Sequence, residues 1–280
     1  MAVADENLIQ EAMTALGCSD RGPIGAVGGQ KAVRLVEHGG KQFVLKVVAV
    51  DFASPETLKR AEREVSLLGE LAVPNVVQVA SLLTELGTPT RGAAWLEEYL
   101  DGDDLTAYLG GPWTWEEAKD MARQVALGVA AGHVRGVIHR DLSANNVRRL
   151  SNGTYKVLDF GFAKHTLRSG LTVAGQPGTY NFLTPEHLNG YNGGPMPASD
   201  VFQIGALLYY ALTGAPPFPF KGDDVEYFER IHSGSYLDIA SLRPDLSPEA
   251  VALVRRTLHR QPARRYIDGQ RLADELDMTR

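Results

Sequence analysis

The stretch His139-Arg140-Asp141-Leu142-Ser143-Ala144-Asn145-Asn146 decides how this chain is read, because Asp159-Phe160-Gly161 begins eighteen positions after Asp141. It follows a segment in which Ala118, Met121, Ala122, Val125, Ala126 and Val129 recur at a period near 3.6, the mark of a helix with one apolar face. Taken singly, Asp141 and Asn146 are residues that cap tight loops, and Asp159 is one that opens a turn after a strand. That reading explains each side chain and leaves their spacing unexplained.

Toward the N-terminus, a glycine-rich stretch from Gly25 gives way to two β-rich runs, Ala32 to Glu37 and Gln42 to Val48. His38-Gly39-Gly40 between them predicts a hairpin. Residues 55 to 71 return to helical spacing, and Val76 to Leu83 and Ala93 to Tyr99 are expected as further strands. Leu8, Ile9, Ala12, Met13 and Leu16 share one helical stripe, with Asp5 and Glu6 in the first turn, so a short amphipathic helix packed on the side of the sheet is expected. Beyond Asp101-Gly102-Asp103-Asp104 the signal turns helical, with further segments around 200–213 and 247–259. The expected class is α+β: a small sheet-rich lobe, then a larger helical one, with a boundary near residue 100.

Composition narrows the function. The 280 residues allow one large domain or two small ones, and 44% hydrophobic with 22% charged residues is a globular composition. A net charge of -6 argues against a nucleic-acid partner. The lone Cys18 can form no internal disulfide, which fits a reducing compartment. The longest apolar run, Ile204 to Leu212, is far shorter than the ~18 residues a membrane helix needs. The start, MAVADEN, has no basic n-region, so the expectation is a cytoplasmic protein without membrane contact.

The two strings around Asp141 and Asp159 resemble the signature set of the eukaryotic-type (Hanks-type) protein kinases, H-R-D-L-x-x-x-N followed by D-F-G. The chain is most like the stand-alone bacterial serine/threonine protein kinases, and the resemblance runs over roughly residues 22 to 275. It implies a bilobal kinase-like fold, with residues 1–21 as a helical extension, 22–100 as the nucleotide-binding lobe and 101–280 as the catalytic lobe. It also implies transfer of the γ-phosphoryl group of ATP, with Mg2+, to Ser/Thr hydroxyls of a protein substrate. Such chemistry needs cations on the phosphates, oxygen ligands for the cations and a carboxylate at the attacking hydroxyl. By resemblance Asp141 serves the hydroxyl, and Asn146 and Asp159 hold Mg2+. Phe43-Val44-Leu45-Lys46 resembles the V-A-I-K strand, making Lys46 the residue on the α- and β-phosphates and Glu64 its partner on the next helix. Glu62 points about 200° away around that helix.

Gly178-Thr179-Tyr180-Asn181-Phe182-Leu183-Thr184-Pro185-Glu186 resembles the segment ending in A-P-E, with Thr184 in place of alanine. By the same resemblance Asp200 anchors the catalytic loop, Arg265 pairs with Glu186, and Thr179 belongs to the substrate-binding motif. Arg140 implies control by a phosphorylated activation segment, with Thr172 first among Thr166, Ser169 and Thr172. A transient homodimer for autophosphorylation goes with that expectation. Nucleotide contacts are expected at Gly28, Gly29, Val33, Val44, Glu98, Leu100 and Asp104, the last on the ribose.

The chain also departs from the family pattern. Only Gly28 and Val33 of G-x-G-x-x-G-x-V fall in register, with Lys31 at the last glycine. Ser143 stands where a lysine usually reaches the γ-phosphate, and Lys31 is the proposed replacement cation. Glu97 falls at the gatekeeper position, and Arg148 falls where an apolar residue underlies adenine. The expectation is that Arg148 stacks on the base while Glu97 offsets its charge; the alternative turns Arg148 outward and fills the floor with Val147 or Leu150. Two other functions remain on this reading: a pseudokinase that binds nucleotide or a partner, and a small-molecule kinase.

Overall fold

The computed structural model describes residues 4–24, 31–50, 56–160, 180–188 and 194–279. The chain divides into two compact units, Met1–Ala72 with Val76–Asp101, and Val73–Asn75 with Gly102–Arg280.

The first unit is built on a five-stranded sheet of order β1-β2-β3-β5-β4, formed by β1 (Ser19–Pro23), β2 (Lys31–His38), β3 (Lys41–Ala49), β4 (Thr84–Leu86) and β5 (Gly92–Glu98). All neighbours run antiparallel. β2 and β3 meet in a two-residue turn, with His38 opposite Lys41. Gly39 and Gly40 both have positive φ, 57° and 76°, which suits the right-handed twist of the strands.

A helix covers each face of this sheet. On one face α1 (Glu6–Ala15) lays Leu8, Ile9, Ala12 and Met13 over Val36, Leu45, Val47, Ala49, Ala94 and Leu96. It is tied down by Glu6 to Arg34 at 2.7 Å and, near its middle, by Glu11 to Arg91 at 2.6 Å. The approach is close enough that a Cβ on Gly92 would lie 2.7 Å from Leu8. On the other face α2 (Glu56–Glu70) buries Ala61, Glu64, Val65 and Leu68, a stripe of helical period, and Ala61 and Val65 pack with Val48, Ala93 and Trp95. With both faces covered, β3 is buried continuously from Leu45 to Ala49, with no alternation between dry and wet residues.

Val76 to Leu83, expected as a strand, makes only a single bridge, Val79 to Glu97. Side chains interrupt the ladder there: Gln78 N donates to Glu98 Oε1, and Leu96 N donates to Ser81 Oγ. The short β4 forms just after it instead.

In the second unit α3 (Trp115–His133) starts at a capping box formed by Thr114 and Glu117 and buries the Ala118, Met121, Ala122, Val125, Ala126, Val129 stripe. It packs against α4 (Pro197–Thr213) and α8 (Gly269–Met278). α4 is buried almost all round, which explains its run of apolar residues; it opens with Pro197 and ends at the left-handed Gly214. α5 (Asp224–Ser233), α6 (Ile239–Leu242) and α7 (Pro248–Thr257) complete the helical part. A three-stranded sheet of order β6-β7-β8 is made by Gly102–Asp104, Val147–Leu150 and Tyr155–Val157. The β7–β8 hairpin matters most for the site, because it sets Asn146, just before β7, beside Leu158, just after β8.

Candidate active site

In the first unit the strand register gathers charge on the α2 face of the sheet. Val33 and Trp95 stand directly opposite Lys46 on either side, Glu97 stands opposite Val44, and Lys31 stands opposite Val48. Because side chains alternate along a strand, Lys31, Val33, Val44, Lys46, Trp95 and Glu97 share one face. Lys46, Glu64 and Glu97 are 7%, 2% and 3% exposed, a depth at which an ammonium or carboxylate is sustained only by opposite charge and hydrogen bonds. Lys46 Nζ lies 2.9 Å from Glu97 Oε2 and 3.9 Å from Glu64 Oε1. Lys31 Nζ lies 3.3 Å from Glu64 Oε2, and Trp95 donates its indole N–H to Glu97 Oε1 at 2.9 Å. Glu97 thus meets Lys46 through one oxygen and the Trp95 indole through the other; Arg148, its expected partner, belongs to the second unit. Lys31, expected as a replacement cation at the phosphates, faces Glu64.

Of the other expected nucleotide contacts in this unit, Glu98 ends β5 and Leu100 is buried. Gly28 and Gly29 lie outside the described residues.

In the second unit one carboxylate organises the loop that begins at His139. Asp200, fully buried on α4, accepts the backbone N–H of His139 at 2.8 Å and of Arg140 at 2.9 Å, and it accepts from His133 Nε2 at 2.8 Å. The His133 ring is set as a donor at Nε2 because its Nδ1 accepts from Gly269 N. Gln203, one turn after Asp200 on the same face of α4, accepts from Leu142 N and donates to Phe182 O. Neither His133 nor Gln203 was singled out from the sequence, although Gln203 sits three positions after Asp200 at helical spacing.

These bonds hold a strained loop. Arg140 and Asp159 have φ of 66° and 53°, in the left-handed region that non-glycine residues seldom enter and that costs roughly 1–3 kcal/mol at each such residue. His139 spans the two, with its ring donating from Nε2 to Leu158 O at 2.8 Å and packing edge-on to Phe160. Asn146 donates its amide N–H to Asp141 O at 2.7 Å, and its own backbone carbonyl accepts from Leu158 N at 2.9 Å. The Asp141, Asn146 and Leu158-Asp159 segments are thus joined by direct hydrogen bonds. Ser143 is buried, and its hydroxyl has no hydrogen-bond partner among the described residues.

Asp104 ends β6 opposite Arg148 and caps the turn that follows by accepting from Thr106 N and Thr106 Oγ1. Glu186 and Arg265 form a fully buried pair at 2.7 Å, and the guanidinium also donates to the carbonyls of His259, Ala198 and Arg260. Thr184 and His187 face each other, with Thr184 N donating to His187 Nδ1. Burial pushes the His187 imidazole below its ordinary value. Thr172 and Thr179 lie outside the described residues, as do Thr166 and Ser169.

Comparison with known proteins bears on both units. The profile of the protein kinase domain matches residues 21–274. The serine/threonine-protein kinase PknA of Mycobacterium tuberculosis is 29% identical over 246 residues, covering 86% of this chain and 56% of that protein. The probable serine/threonine-protein kinase PknB of Lactococcus lactis is 28% identical over 243 residues, 85% of this chain and 38% of that protein. For PknD of Mycobacterium tuberculosis the identity is 29% over 269 residues, 88% and 39%. The chain thus spans about half the length of these relatives, or less. Among the described residues no helix is long and apolar enough to cross a membrane. The matched range runs from β1 into α8 and takes in Lys46, Asp141, Asn146, Asp159, Asp200 and Arg265. This chain belongs to the protein kinase domain family.

Proposed function

We propose that the protein transfers the γ-phosphoryl group of ATP to serine or threonine hydroxyls of protein substrates, with Mg2+. The first unit supplies the nucleotide lysine, Lys46, with Glu64, and the second supplies the catalytic loop. Asp141 orients the substrate hydroxyl and takes its proton as the oxygen attacks. Asn146 and Asp159 would hold the metal.

The observation that carries this reading is the hydrogen-bonded junction of Asp141, Asn146 and Leu158-Asp159 on a loop held by buried Asp200. Its donor set fits Mg2+, which prefers hard oxygens and is usually bound through one or two carboxylates together with substrate phosphates. Asn146 commits its amide nitrogen to Asp141, which leaves its carbonyl oxygen as the end that suits a cation. Bound Mg2+ would neutralise charge on the transferring phosphoryl group. Arg140, whose Nε is buried with no hydrogen-bond partner among the described residues, supports control by a phosphate on the activation segment. The names of the relatives support the choice of Ser/Thr hydroxyls.

The test is transfer from γ-labelled ATP with Mg2+ to the protein itself and to a generic basic protein, beside Asp141→Asn. The expected result is label on Ser or Thr, reduced about 10²–10⁴-fold in the variant. Nucleotide binding without any transfer would instead support a binding module, a reading favoured by the contact of Lys46 to Glu97, which is closer than that to Glu64. Transfer to choline or amino sugars without transfer to protein would support a small-molecule kinase.

A further inference from the structure

In the first unit two lysines and two glutamates meet on one sheet face, and the pairing among them is uneven. Glu64 is nearer to Lys31, at 3.3 Å, than to Lys46, at 3.9 Å. Lys46 meets Glu97 at 2.9 Å. The contact follows from register: Lys46 lies opposite Trp95, so Glu97, two residues on and on the same face, is its diagonal neighbour and within reach of a long side chain. Trp95 then fixes the carboxylate from the other side, because its indole N–H reaches Glu97 Oε1 at 2.9 Å and the ring itself is fully buried. A buried carboxylate held by a rigid donor is a firmer guide for an ammonium than one shared with a second lysine.

We propose that Glu97, held by Trp95, is a positioning residue that aims Lys46 at the nucleotide phosphates, a task Glu64 shares because Lys31 draws on it. The proposal rests on the reading of Lys46 as the phosphate-gripping lysine. It predicts an effect confined to phosphate. Glu97→Gln keeps an acceptor for the Trp95 N–H and removes the negative charge that faces Lys46, so a ligand that uses Lys46 should suffer and one that does not should be spared.

The experiment compares binding of the magnesium complex of a non-hydrolysable ATP analogue with binding of adenosine, by calorimetry, in the wild type, Lys46→Met, Glu64→Gln and Glu97→Gln. The expected result is an analogue affinity weakened about tenfold in Glu97→Gln, at least as much as in Glu64→Gln, with adenosine affinity within about twofold of the wild type. Equal loss of both ligands in Glu97→Gln would make Glu97 a structural residue and overturn the proposal. So would an unchanged analogue affinity in Glu97→Gln while Lys46→Met loses it, or an affinity indifferent to Lys46→Met. A wild type that binds neither ligand overturns the kinase reading itself, and this proposal with it. If Glu97→Gln fails to fold, Trp95→Phe carries the test, with the same selectivity for the phosphates at about threefold.

Discussion

The two units bury charge in different ways. On the sheet of the first unit, Lys46, Glu97, Glu64 and Lys31 answer one another, side chain to side chain. In the helical unit the buried charges answer the backbone: Asp200 accepts two N–H groups of the catalytic loop, and Arg265 donates to three carbonyls besides meeting Glu186. A charge matched by a side chain can be removed together with its partner, whereas one matched by backbone leaves fixed groups behind. On the proposed function, the first arrangement suits a lysine that hands its charge to a nucleotide, and the second suits a scaffold.

The sharpest way to break this contrast is to delete one pair from each unit. Replacing Arg265 and Glu186 together by leucine orphans the carbonyls of Ala198, His259 and Arg260. At ~1–3 kcal/mol for each buried group left unmade, stability should fall by at least about 3 kcal/mol in urea unfolding. The matching change in the sheet, Lys46→Met with Glu97→Gln, keeps an acceptor for Trp95 and leaves Glu64 with Lys31. It should move the unfolding free energy by no more than about 1 kcal/mol. A sheet variant as destabilised as the helical one would end the distinction.

A smaller effect probes the helical unit by pH. The His187 imidazole is held below its ordinary value of 6.5 by burial, and Thr184 N donates into its bare Nδ1. Glu186 and Asp200 oppose that shift, while the charge of Arg140 adds to it. The unfolded chain therefore binds a proton as pH falls below about 6.5 while the folded one does not. This contribution is complete above that pH and is lost progressively toward the depressed folded value, by at most about 1.4 kcal/mol per pH unit. Unfolding followed between pH 7 and pH 5 should show a shallower slope in His187→Gln.

What could be read from the sequence was whatever the chain writes locally. The HRD and DFG strings are contiguous, the turn at Gly39-Gly40 needs positive φ and carries glycine, and the α3 stripe repeats at helical spacing. Contacts fixed by strand register were not legible. The contact of Glu97 with Lys46 was not foreseen, because only the pairing of β3 with β5 sets the two diagonally. The run from Val76 to Leu83 has the composition of a strand, but Ser81 and the Glu98 side chain take ladder positions, a competition hydropathy does not record. Gln203 follows Asp200 at helical spacing, but its role depends on Leu142 and Phe182, two distant segments that meet it in space.

The helix α1 carries a practical consequence for anyone who trims the chain. A fragment cut to the matched range, 21–274, would retain every kinase motif and lose Leu8, Ile9, Ala12 and Met13. Val36, Leu45, Val47 and Leu96 would then form a bare apolar patch beneath the strand that carries Lys46. Such a fragment should aggregate on expression, and a failed transfer assay on it would report poor solubility rather than the chemistry of the chain.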